Sequence, residues 1–266
     1  MKGSPENLSR REFLKATVAG GIFLAEFLIS GPARAALEKL FGSQEYRNED
    51  LESLLRRMER MVYDDVNEVM WVYVERGNKQ YAINVLKEAT DRSAQGIDLT
   101  PLYEDQAVSK AYLLHTHPAA LFLADPSFPR EKAEKILREK RSDYSRILSP
   151  GDILECVADK MRLLDLDIRR ESKHFLVEPS GIWSYDVDLS HPSTQEMLSG
   201  GDGDSRAEMV RSNGLLAMVL QVELEEWQKK LSEGEGMTTA TLEEFITWAK
   251  ETYGIILEYR RTVSSL

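Results

Sequence analysis

Ala107-Val108-Ser109-Lys110-Ala111-Tyr112-Leu113-Leu114-His115-Thr116-His117-Pro118 is the stretch on which the reading of this chain turns. It reads as a β-strand closed by Pro118, which has no N–H to give to a ladder. Side chains two apart on a strand point to one face, so the imidazoles of His115 and His117 can reach the same ion. Two neutral imidazoles suit zinc, and a catalytic zinc takes three protein ligands with one position left open, so a third ligand has to come from elsewhere. On its own the pair is weak evidence, because such histidines also occur as satisfied polar residues.

Upstream, Leu51, Leu54, Leu55, Met58, Met61 and Val62 recur at three- and four-residue spacing, which predicts an amphipathic helix over 48–63. Two runs of β-formers follow, Glu68 to Glu75 and Gln80 to Leu86, joined at Gly77-Asn78 as a hairpin. The polar stretch between Asp91 and Asp105, with Gly96 and Pro101, reads as a loop.

Downstream, residues 119–148 read as an insertion that carries a charged helix from Arg130 to about Arg146, with Ser127 ahead of Pro129 as its start. Seven basic groups there (Arg130, Lys132, Lys135, Arg138, Lys140, Arg141, Arg146) face four acidic ones (Glu131, Glu134, Glu139, Asp143). Either this is a solvated helix face, or it is a lid attracting an acidic substrate or partner. Ser149-Pro150-Gly151-Asp152 then opens a helix through Ile153, Leu154, Val157, Met161 and Leu164, and 174–177 with 182–185 form a second hairpin about Pro179-Ser180-Gly181. An acidic Gly/Ser linker at Ser199–Ser205 precedes a long helix to about Leu231. A shorter helix, with a capping-box signature at Thr241-Leu242-Glu243-Glu244, ends near Gly254, and a closing strand follows over 255–259.

The first 35 residues have the parts of a secretory signal: Ser9-Arg10-Arg11-Glu12-Phe13-Leu14-Lys15, an apolar run from Ala16 to Ile29, and Pro32-Ala33-Arg34-Ala35. The first of these resembles the twin-arginine consensus, which implies the twin-arginine export machinery as a partner and a periplasmic or extracellular location. The apolar run is short and carries Glu26, a poor membrane span, so contact with a membrane is expected only through this segment if it is uncleaved. Its removal takes away five basic groups (Lys2, Arg10, Arg11, Lys15, Arg34) and three acidic ones (Glu6, Glu12, Glu26), moving the net charge from −11 to −13. That sign argues against nucleic acid as a partner, because such binding rests on neutralising phosphates with Lys and Arg. Cys156 is the single cysteine, so no intramolecular disulfide forms even in an oxidising space.

His115-Thr116-His117-Pro118 followed by Ser149-Pro150-Gly151-Asp152 resembles the signature of the JAMM/MPN-plus (JAB-type) zinc metalloprotease family, H-[ST]-H-P and then S-x-x-D leading into a helix. The order of elements over roughly 48–190 agrees with that family. The resemblance implies an α/β (α+β) domain with a curved, mainly antiparallel sheet flanked by helices, here at 44–190, followed by a mainly helical extension at 191–266. It implies zinc held by His115, His117 and Asp152, with Glu68 as general base and Ser149 as donor to the oxyanion. The reaction would be hydrolysis of a peptide or isopeptide bond in a peptide or protein substrate through a zinc-activated water. In this chain 31 residues separate His117 from Ser149, more than is usual in the family, and an insertion of that length can loop out because closure entropy grows slowly with length. Trp71 stands where the family commonly has glycine.

Each residue also has a simpler role open to it. Asp152 or Ser149 can cap the helix, and Glu68 can be a strand-edge carboxylate, with Glu75 and Glu88 as substitutes for the base. His174 and His191 lack a paired ligand nearby in sequence and are left out of the site. The alternative to an enzyme is a non-catalytic MPN-like scaffold or binding module.

Overall fold

The computed structural model describes residues 46–86, 100–126, 128–168, 171–197, 205–232 and 237–262; the expected signal segment at 1–35, Glu88, Ser127 and most of the expected 199–205 linker lie outside them. The chain forms an α/β fold around one mixed sheet flanked by helices. The strands are β1 (Tyr46–Arg47), β2 (Met70–Arg76), β3 (Lys79–Leu86), β4 (Val108–Thr116), β5 (Glu171–Glu178), β6 (Gly181–Val187) and β7 (Ile255–Arg261), in spatial order β1-β3-β2-β4-β5-β6-β7. Six are full strands and β1 is a two-residue edge piece. Every neighbouring pair is antiparallel except β4 and β5, which run parallel at the centre. A parallel pair needs a long crossover, and residues 117–170 are that crossover.

Alternation along the strands sorts the sheet into two faces. Trp71, Tyr73, Tyr112, Leu114, Phe175 and Val177 pack on one face against helix α1 (Leu51–Asp64), whose Leu54, Leu55, Met58 and Val62 are fully buried. Each of those side chains contributes about 1.5–3 kcal/mol by leaving water. Asp50 accepts from the Ser53 N–H and starts the helix. The hairpin turns at Gly77, whose φ of +58° suits glycine.

The opposite face carries Val72, Leu113, Leu176, Trp183 and Tyr185. Helix α5 (Pro150–Asp165) lies there, together with α7 (Arg206–Ser212), α8 (Gly214–Ser232) and α9 (Thr239–Tyr253). Residues from α5, α8, α9, β6 and β7 thus share a single apolar core.

Local details depart from the sequence reading in several places, the first hairpin strand among them, which starts at Met70 and leaves Glu68 just ahead of it. Residues 100–104 of the expected loop form a short helix, α2 (Thr100–Glu104). The basic helix α4 (Arg130–Glu139) ends early, at Lys140 with φ +49°. With α3 (Ala120–Ala124) it builds a small core of Phe122, Phe128, Ala133 and Ile136, so the insertion folds on itself before the chain returns. The long helix expected to reach Leu231 is broken at Asn213, whose side-chain oxygen accepts from Leu216 N and whose amide donates to Met197 O. Finally, Thr238 rather than Thr241 caps α9, and Gly254 ends it at φ +69°. His191 caps the five-residue helix α6 (Pro192–Glu196). Among the described residues no helix is long and apolar enough to cross a membrane.

Candidate metal centre

His115 sits near the end of the central strand, between Met70 of β2 and Leu176 of β5. His117 extends the parallel ladder one step further, its N–H donating to Val177 O at 2.9 Å. Both histidines share the face of Leu113, on which α5 lies. Thr116 points the other way and ties in the strand beside it: Val69 N donates to Thr116 Oγ1 at 2.9 Å, and Thr116 N donates to Val69 O at 3.0 Å. That double link fixes Val69, and with it the neighbouring Glu68, at the mouth of the histidine pair. Trp71 turns under α1, on the opposite face, so its bulk stays clear of the site.

Asp152 arrives from the first turn of α5. Ser149 is the N-cap: its Oγ accepts from Asp152 N at 3.3 Å, while its own N–H donates to Asp152 Oδ2 at 2.7 Å. Capping and metal binding, posed as alternatives for Asp152, are compatible, because the cap uses Oδ2 and leaves Oδ1 facing His115 Nε2 at 3.0 Å. The second oxygen lies 3.8 Å from His117 Nε2. Glu68 Oε1 is also 3.8 Å from that nitrogen.

One ligand atom from each of His115, His117 and Asp152 lies within 4.8 Å of the others, so this trio can hold a metal ion. Bonds of ~2 Å to a tetrahedral ion would place its ligands roughly 3–3.5 Å apart, and the 3.0 Å between His115 Nε2 and Asp152 Oδ1 falls in that range. A further observation supports the fit. His115 Nε2 is buried and has no aligned hydrogen-bond partner; the Asp152 contact is close enough for attraction but off-line for a hydrogen bond. An orphaned buried nitrogen calls for an explanation, and a ligand shared with the carboxylate supplies one. His117 Nδ1 is 3.1 Å from Arg146 O. A carbonyl can only accept, so Nδ1 carries the proton and Nε2 presents its lone pair.

The electrostatics follow from burial and mutual charge. Burial lowers the pKa of His117 to about 4, with His115 acting the same way against the pull of Asp152 and of the hydrogen bond to the Arg146 carbonyl, so its ring is neutral at pH 7. For His115 burial again works downward, but the carboxylates of Asp152 and Glu68 outweigh it and the pKa rises. Burial alone would raise Asp152; the adjacent His115 overrides it and holds the carboxyl well below the usual range. Glu68 is raised, chiefly by burial and then by Asp152.

The structure therefore brings Glu68, His115, His117 and Asp152 together and links Ser149 to Asp152 through the cap. Glu75 is engaged elsewhere, with the Tyr73 hydroxyl and Lys110. His174 is buried against Asp159, with Nε2 to Oδ2 at 3.1 Å, and Asp159 in turn binds Arg162. What sequence reasoning missed is the support behind His117: the Arg146 carbonyl and the side chains of Glu178 and Gln228 that hold it. A carbonyl has no residue-specific signal. No family model, curated protein or solved structure matches this chain.

Proposed function

We propose that the chain is an exported zinc metallopeptidase of JAMM/MPN type that hydrolyses a peptide or isopeptide bond in a peptide or protein substrate. The observation that carries the reading is the meeting of two imidazoles and one carboxylate from separate elements, with the second carboxylate of Glu68 beside them. Two imidazoles and a carboxylate are a ligand set suited to zinc, which when bound supplies a Lewis acid that polarises a carbonyl and makes water more acidic.

The chain's own groups have complementary tasks. His115, His117 and Asp152 would hold the ion. Glu68 is close to the ligand set without being hydrogen-bonded to it, and its raised pKa suits a group that takes a proton from water and returns it to the leaving amine. Ser149 uses one oxygen lone pair in the helix cap, which leaves its O–H hydrogen to donate to a developing oxyanion. Digestion of a peptide library by the mature protein, with and without chelator, tests the reading. Zinc-dependent cleavage is expected. Glu68→Gln should keep zinc and lose ~10²–10⁴ of the turnover, and undiminished turnover in that variant removes Glu68 as the base.

The second reading, a non-catalytic scaffold of the same fold, draws on the low exposure of the two histidine side chains, 4% and 10%. One zinc per chain without cleavage of any library peptide would favour it. Export rests on the Arg10-Arg11 segment; replacing both arginines by lysine should leave the precursor inside the cell, and undiminished export would remove the twin-arginine assignment.

A further inference from the structure

Residues 145–147 run back past the site as the chain leaves the insertion, and they contribute one contact to a ligand, the Arg146 carbonyl on His117 Nδ1. Two side chains from distant elements grip this tripeptide. From α8, Gln228 Nε2 donates to Ser145 O at 2.6 Å while Gln228 Oε1 accepts from Ile147 N at 3.0 Å. One orientation of the amide satisfies both bonds, so the side chain imitates a neighbouring strand on either side of Arg146. From the end of β5, Glu178 Oε2 accepts from Arg146 N at 3.0 Å and Oε1 accepts from Ser145 Oγ at 2.8 Å.

Glu178 is 1% exposed, and the rest of its hydrogen-bonding capacity goes to Ser180 N, Ser180 Oγ and Trp183 Nε1. All five of these donors are neutral. A carboxylate buried among neutral groups is costly compared with an apolar side chain of similar size. The backbone it holds is the one whose carbonyl meets His117.

We propose that Glu178 and Gln228 are positioning residues of the metal centre. Together they clamp peptide units 145–147 so that the Arg146 carbonyl selects the Nδ1–H tautomer of His117 and aims its Nε2 at the other ligands. The proposal deepens the metallopeptidase reading and rests on it for the role of His117 as a ligand. It also gives the segment after residue 191 a part in the site, since Gln228 belongs to α8.

Nitrogen-15 NMR of the histidine ring reads the tautomer directly in metal-free protein at neutral pH. The native chain should show a single Nδ1–H form at His117. Gln228→Ala and Glu178→Ala should show a mixture of tautomers, and chelator competition should show zinc held ~10–100-fold less tightly, the usual effect of losing an outer-shell partner. Gln221→Ala, on the same helix and bonded to Glu225, should change neither. If Glu178→Ala does not fold, Gln228→Ala carries the test alone, since its side chain can be cut back without leaving a charge behind. A folded Gln228→Ala protein with the native tautomer overturns the clamp. Should the native protein bind no zinc, the metallopeptidase reading fails while the tautomer still decides the clamp.

Discussion

In the proposed function Ser149 has two tasks for one hydroxyl, and the two can be separated. As an N-cap it accepts from Asp152 N, and glycine at that position costs only a few tenths of a kcal/mol. As an oxyanion donor it has no substitute in glycine. Ser149→Gly should therefore stay within about 0.5 kcal/mol of the native stability in denaturant titration while turnover falls ~10²–10³. Equal losses in both would make Ser149 a cap only. His115 differs from His117 in a way that also predicts an outcome: its Nε2 is the orphaned atom. His115→Ala removes a ligand and also the group that holds the Asp152 carboxyl ionised, so zinc binding should disappear and the Asp152 carboxyl should titrate at higher pH than in the native protein, a shift that NMR titration reads.

At the scale of elements, β5 ends in a carboxylate whose pKa is raised by burial, with the hydrogen bonds from Ser180, Arg146 and Ser145 offsetting only part of that. The folded state therefore binds a proton at Glu178 more tightly than the unfolded chain does. The resulting stabilisation is present below the ordinary value of 4.5 and is lost as pH rises through the raised folded value. Urea titrations at a series of pH values should show the stability of Glu178→Gln gaining on the native protein as pH rises from 4.5, and a constant difference would contradict the assignment. Elements of this kind were legible in the sequence where one side chain decides them. The spacing of Leu54, Leu55, Met58 and Val62 marks α1, Gly77 marks the hairpin, and His115 with His117 mark the face that meets α5. They were illegible where a distant partner decides. Asn213 interrupts an otherwise helical run because Met197 O and Leu216 N satisfy both ends of its amide. The clamp on Arg146 joins residues 81 apart in sequence through backbone groups that every residue possesses.

The whole molecule is built so that the site lies where three separated stretches meet over the central parallel pair. The sequence suggested a domain at 44–190 followed by a helical extension. In the structure β7 pairs with β6 across the full length of that strand, and α8 and α9 share the core of α5. Thermal unfolding of the metal-free protein should accordingly show one cooperative transition; two resolved transitions would mean that the C-terminal segment folds as a separate unit. The proposed chemistry depends on the trio of His115, His117 and Asp152 holding one ion. Anomalous scattering at the zinc edge, from crystals of the mature protein as purified, tests this most directly. A single strong peak is expected ~2 Å from a nitrogen of each histidine and from Asp152 Oδ1. A well-ordered site with no zinc peak there, or a zinc bound elsewhere, would contradict it.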